Sequence, residues 1–128
     1  MIKEKLKSHK ELIVWKKAMD LIYKTYKITG QFPREKMYGL VQQMRRSAVA
    51  IPSNIAEGYN RYHIKEYLQF LNIANSSAAE LETQLLIAKN LKFIKELDYS
   101  EADNSLTEVL KMLTVLIRKL KFYSLTKE

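Results

Sequence analysis

The sequence predicts an all-α protein folded as an antiparallel up-down-up-down four-helix bundle. Three observations carry this expectation. Only three glycines and two prolines occur in 128 residues, whereas sheet-rich folds need turn residues every 8–12 positions or so. Four stretches carry apolar residues at alternating spacings of three and four, the signature of one helix face. The segments between them are short, which favours packing each helix antiparallel to the last. The length suits a single domain over residues 1–128, with helices at about 11–29, 34–57, 63–91 and 100–123.

In the first helix, Trp15, Met19, Ile22 and Tyr26 share a face and form the expected seam. Gly30 stands where a left-handed terminator belongs, and Pro33 follows it. The second helix carries Met37, Val41, Met44, Ala48, Ile51 and Ile55 in an unbroken pattern. Pro52 removes the hydrogen bond to the Ala48 carbonyl and is expected to bend this helix rather than end it. Gly58 is expected to end it. The third helix is the longest, with a heptad seam of Tyr67, Leu71, Ala74, Ala78, Leu81, Leu85 and Ala88, and small residues at its middle let a neighbour approach closely. In the fourth, Leu106, Leu110, Leu113, Ile117 and Leu120 form the seam, and Ser100 with Asp103 resembles a capping box.

More apolar surface is present than one bundle uses. Val109, Met112, Leu116 and Tyr123 lie beside the last seam, Val115 and Phe122 lie nearly opposite it, and Phe70 and Ile73 flank the third seam. Monomers rarely expose so large a set, so a homo-oligomer is expected.

Several kinds of chemistry find no material. There is no cysteine, hence no disulfide or thiolate metal site. Di-metal bundles use Glu-x-x-His pairs; His9 and His63 are the only histidines and neither follows a glutamate by three. No phosphate-cradling glycine motif occurs, and two histidines are thin material for a catalytic triad. No metal, cofactor or catalytic residue is therefore expected, and the protein is read as a non-enzyme. Glu57, Glu80 and Glu82 are read as partners of Arg45, Arg46 or a neighbouring subunit rather than as general acids. No signal-peptide core follows the charged N-terminus, and no apolar run approaches the ~18–20 residues of a membrane span. A cytoplasmic protein with no membrane role is expected.

The net charge is +8 and unevenly spread: residues 1–65 hold 14 Lys/Arg against 5 Asp/Glu, and residues 66–128 hold 8 against 9. A basic half favours an anionic partner, nucleic acid first, against the plainer reading of solubility alone. Lys10, Lys17 and Lys24 recur at intervals of seven and form a stripe that Lys27 extends. Arg61 and Lys65 sit at the junction into the third helix, interleaved with Tyr59 and Tyr62. Cations and aromatics at a helix start suit a phosphate backbone and an unstacked base. These six basic residues are the candidate nucleic-acid contacts. Arg45, Arg46, Glu57, Glu80, Met112, Leu116 and Tyr123 are assigned instead to ion pairs or a subunit interface.

Three strings carry a family resemblance: Glu-Leu-Ile-Val-Trp-Lys-Lys-Ala-Met-Asp-Leu at 11–21, Arg-Arg-Ser-Ala-Val-Ala-Ile-Pro-Ser-Asn-Ile-Ala-Glu-Gly at 45–58, and Glu-Leu-Glu-Thr-Gln-Leu-Leu-Ile-Ala at 80–88. Together they resemble the bacterial four-helix-bundle family named for 23S ribosomal RNA intervening sequences, over about residues 9–122. The resemblance implies an antiparallel four-helix bundle, assembly into homopentameric rings, and no recognised catalytic residues. A related branch serves as the accessory variability protein of diversity-generating retroelements, which implies RNA or a reverse transcriptase–RNA complex as partner. This chain departs from the family pattern at Tyr62-His63, where a Ser or Thr cap is expected, at Asn75-Ser76, where a Gly-Ser is common, and at Lys92, where glycine is usual. The resulting expectation is an oligomeric RNA- or ribonucleoprotein-binding accessory protein acting through its basic surface; the alternative is a protein–protein scaffold.

Overall fold

The computed structural model describes residues 8–92, 94 and 96–127. Residues 1–7, which carry the charged N-terminal stretch, lie outside that range, as do Phe93 and Lys95 in the last connection. Four helices follow one another: α1 (Ile13–Thr29), α2 (Arg34–Tyr59), α3 (Ile64–Leu91) and α4 (Ser100–Lys127), preceded by a short 3-10 turn at His9–Glu11. Each helix packs on its neighbours in the chain, and α4 closes the ring against α1. This is the antiparallel four-helix bundle that the apolar spacing requires.

The seams of α2 and α3 are as the sequence predicts. Met37, Val41, Met44, Ala48, Ile51 and Ile55 are all buried, and so are Tyr67, Leu71, Ala74, Ala78, Leu81, Leu85 and Ala88. Complete burial of one such leucine contributes roughly 1.5–3 kcal/mol. α2 runs continuously through the buried Pro52.

The core face of α1 differs from expectation. Val14, Ala18, Leu21, Thr25 and Ile28 are buried, while Trp15, Met19 and Ile22 are only half-buried and Tyr26 is exposed. The helix is turned by one residue from the expected seam, and Thr25 is tolerated inside because it satisfies its own polar group: its hydroxyl donates to the Leu21 carbonyl at 2.8 Å, and the rest of the side chain packs as an aliphatic one. The larger side chains then close the edge of the bundle, with the His9 ring edge-on to Trp15 at 5.2 Å. In α4 the buried set includes Ala102 and Val109, so Val109 belongs to the core rather than beside it, whereas Leu110 is half-buried.

The helix ends also correct the expectation. Gly30 is right-handed (φ −64°), and α1 stops by tightening into shorter turns: Gln31 N–H donates to Ile28 and Phe32 N–H to Thr29, each at 3.1 Å, before Pro33. Gly58 does not end α2. It lies inside the helix, where α3 passes so closely that an added Cβ would sit 2.7 Å from the Phe70 Cβ and 3.0 Å from the Tyr67 ring. Asn60 ends α2, its side-chain amide donating to the Ala56 carbonyl at 2.8 Å. α3 ends at Lys92 in the left-handed conformation (φ 53°, ψ 34°), where glycine would be free of Cβ strain. Ser100 and Asp103 form no capping box. The Ser100 N–H donates to Asp98 at 2.9 Å and Asp103 turns to Lys89 at 2.6 Å. Hydrogen bonds from the Ser100 side chain and backbone hold the Asp98 carboxyl below its usual range. α4 extends four residues beyond the expected end, to Lys127.

The two glycines of α2 make opposite predictions. Gly58→Ala must displace α3 and is expected to cost about 1–3 kcal/mol. Gly39→Ala meets nothing within 4 Å and is expected to gain about 0.4–1 kcal/mol by restricting the unfolded chain. Urea denaturation of both variants checks the pair.

Burial pushes the Tyr67 phenol well up, and Tyr59 adds to the shift; burial raises Tyr99 as well. A tyrosine in the unfolded chain ionises near pH ~10. Above that pH the unfolded state releases protons that the folded state keeps, so stability falls as pH rises, and below it these groups contribute no pH dependence. Tyr67→Phe is expected to make the alkaline fall shallower, measured as the urea midpoint between pH 8 and pH 11, roughly the span in which free tyrosine titrates.

Candidate nucleic-acid interface

The lysine stripe of α1 does not face open solvent alone. Heptad spacing puts Lys17, Lys24 and Lys27 on the side of α1 that meets α4, and α4 presents carboxylates there. Lys17 Nζ lies 3.3 Å from Glu108, Lys27 Nζ lies 3.6 Å from Glu101, and Lys24 Nζ lies 2.7 Å from Asp20 on its own helix. The hydrogen bond to Asp20 is the largest influence on Lys24 and raises its pKa. Pairs this exposed contribute little to stability, about 0–1 kcal/mol each, but they offset most of the stripe's local charge. Lys10 is exposed in the 3-10 turn, clear of this edge.

The junction into α3 is divided. Arg61 Nη2 pairs with Glu57 Oε1 at 2.5 Å, Nη1 lies 4.0 Å from Glu66, and the guanidinium sits 4.9 Å from the centre of the Phe70 ring. Arg61 thus clamps the α2–α3 turn, and Glu57 pairs with it rather than with Arg45 or Arg46. Tyr59 is buried, edge-on to Tyr67 at 5.8 Å, so its face is closed to a base. Tyr62, by contrast, is 86% exposed, and Lys65 is exposed beside it.

The residues assigned to an interface fall into three places. Arg45 is half-buried and held within the chain: its Nε donates to the Thr29 hydroxyl at 3.0 Å and its guanidinium lies 4.4 Å over the Tyr26 ring. Arg46, Glu80 and Glu82 are exposed and make no ion pair with the described residues. Met112 and Leu116 are half-buried and line an open apolar groove of about 550 Å³ with Leu12, Ile13 and Val115, flanked by Lys111 and Lys119. Tyr123 is half-buried further along α4.

A second opening was not anticipated from the sequence. A cleft of about 260 Å³ lies between the α1–α2 turn and the first three turns of α2, with Phe32 and Val41 at its floor and Arg34, Tyr38, Gln42 and Arg45 around it. Arg34, Tyr38 and Gln42 are spaced by four and stack on one face, with Arg45 three residues on. That spacing was the available signal, and it continues to Arg46.

Among the described residues no group of three His, Asp or Glu side chains could hold a metal ion, and no helix is long and apolar enough to cross a membrane. Fold and surface together define a small basic four-helix bundle whose excess of basic over acidic residues lies in residues 1–65. The profile of the 23S rRNA-intervening sequence protein family matches residues 10–115, and the chain belongs to that family. No curated protein matches the sequence.

Proposed function

We propose that this protein is a non-enzymatic, homo-oligomeric accessory protein that binds RNA, alone or as a ribonucleoprotein, through a basic surface. The observation that carries the reading is the concentration of cations on one half of the chain, 14 Lys/Arg against 5 Asp/Glu in residues 1–65. The family's name, taken from 23S rRNA intervening sequences, supports RNA as the polyanion. The mechanism is electrostatic: lysines and arginines replace counterions along the phosphate backbone, and a ring-shaped pentamer repeats the surface five times. Lys10, Lys65 and Arg46 are the exposed contacts of this surface; Lys17, Lys24 and Lys27 contribute once their carboxylate partners are outcompeted.

A scaffold that binds another protein is the second reading, favoured by the apolar groove at Met112 and Leu116. A pull-down that survives nuclease treatment would favour it.

The first reading makes a graded prediction. Affinity for structured RNA falls steeply with salt. Lys10→Glu with Lys65→Glu weakens it without lowering the thermal midpoint. Glu101→Gln with Glu108→Gln uncovers Lys27 and Lys17 and strengthens it, at a stability cost below about 1 kcal/mol. Filter binding between 50 and 300 mM salt, a range on the order of that used to count phosphate contacts, reads all three. Absent or salt-independent binding overturns the proposal. A monomeric mass by light scattering at micromolar concentration overturns its oligomeric part.

A further inference from the structure

We propose that the cleft between the α1–α2 turn and α2 is a site for one phosphate of a ribonucleotide strand, with Tyr38 as the platform for an adjacent base. This rests on the RNA-binding reading above and gives it a place on the molecule.

Charge is the first argument. Two arginines line the cleft, and no carboxylate does among the described residues. On the α1 stripe each of Lys17, Lys24 and Lys27 has an acidic neighbour, whereas Arg34 makes no ion pair with the described residues. The cleft is therefore where a phosphate meets cations that it does not have to take from a carboxylate.

Preorganisation is the second. Arg45 is held by its Nε on the Thr29 hydroxyl and by the Tyr26 ring beneath its guanidinium. The Thr29 hydroxyl is fixed in turn, donating to the Thr25 carbonyl at 2.7 Å. Neither Nη of Arg45 has a hydrogen-bond partner among the described residues. The planar fork is thus oriented before a ligand arrives, so little side-chain freedom is lost on binding. Fork geometry matches two oxygens of a phosphate.

Composition around the fork is the third. Tyr38 is 67% exposed on the rim, where its ring is open to a stacking base. Base–aromatic stacking is tolerant of sequence. Gln42 adds a donor and an acceptor on the same face. The volume of about 260 Å³ lies just below the usual range of small-molecule pockets. It suits a phosphate with its sugar and leaves the base outside, against Tyr38.

The test uses the full chain, with a fluorescent single-stranded 12-mer of mixed sequence as the strand (a length of the order one such site covers) and inorganic phosphate as the free anion. Arg34→Gln is expected to reduce the salt slope for the oligonucleotide by roughly 0.7, the value for one single-strand phosphate contact. Tyr38→Ala is expected to weaken oligonucleotide affinity roughly 5- to 100-fold. Arg118→Gln, an equal loss of charge on exposed α4, is the control and is expected to change affinity much less. Both cleft residues are exposed, so thermal midpoints should stay at the wild-type value. If Arg34→Gln and Arg118→Gln weaken binding equally and Tyr38→Ala has no effect, the cleft proposal falls while the general basic-surface reading stands. If the wild-type protein binds no RNA, both fall. If inorganic phosphate displaces Arg34-dependent signals but Tyr38→Ala leaves the oligonucleotide unaffected, the cleft is a free-anion site and the strand assignment is overturned.

Discussion

The close approach of α2 and α3 is the constraint on which the bundle depends. Ser47, Ala48, Ala74, Ser77 and Ala78 are all buried, and at Gly58 there is no room even for a methyl group. Small residues trade hydrophobic area per side chain for backbone proximity, which raises the number of van der Waals contacts along the pair. α2 and α3 accordingly form the most extensive helix–helix contact of the molecule. Larger side chains fill the remaining seams, such as Leu21, Leu113 and Leu120. Two buried side-chain oxygens on α3, those of Asn75 and Gln84, have no hydrogen-bond partner among the described residues.

Packing order then decides the electrostatics. α4 lies beside α1 and meets its lysines with Glu101 and Glu108. α2 has carboxylates only near its ends, at Glu35 and Glu57, so Arg34, Arg45 and Arg46 are not offset in the same way. A lysine stripe that dominates the linear sequence is thereby muted in the folded chain, whereas Arg46, assigned from the sequence to an ion pair or interface, is exposed and makes no ion pair with the described residues. Arg45 holds both roles at once, because its Nε is committed to Thr29 and its two terminal nitrogens have no partner among the described residues.

Much of the fold was legible because the seams of α2 and α3 contain almost nothing but apolar residues at regular spacing. α1 was harder: its true face includes Ala18 and Thr25, whose small size and hydroxyl concealed it behind the louder pattern of Trp15, Met19, Ile22 and Tyr26. Gly58 reads as a helix end in the sequence because glycine serves either a helix end or a close contact, and only the position of Phe70 distinguishes them. Lys92 showed the converse, a terminator without a glycine. The candidate site was less legible than the fold. Pairings such as Lys17 with Glu108 join residues far apart in the chain, and no local spacing encodes them. Arg34, Tyr38 and Gln42 were within reach of a spacing argument, but the cleft beside them exists only once the α1–α2 turn is in place.

The ion pairs of α4 have one consequence beyond their energies. Leu106, Leu113 and Leu120 repeat at intervals of seven, so sliding α4 by one heptad, about 10 Å, would set leucine on leucine and preserve much of the oily seam. The acidic positions repeat only in part: Glu101 and Glu108 are also seven apart, so a slide remakes at most one pair with α1, and Asp103 has no acidic counterpart seven residues away within α4. Lys27 meets Glu101, Lys17 meets Glu108, and on the other flank Lys89 meets Asp103. A slipped helix would break this three-point match while keeping most of its apolar burial. The charges thus act as a vernier: weak as adhesive, they distinguish between alignments that greasy surfaces alone leave close to equivalent.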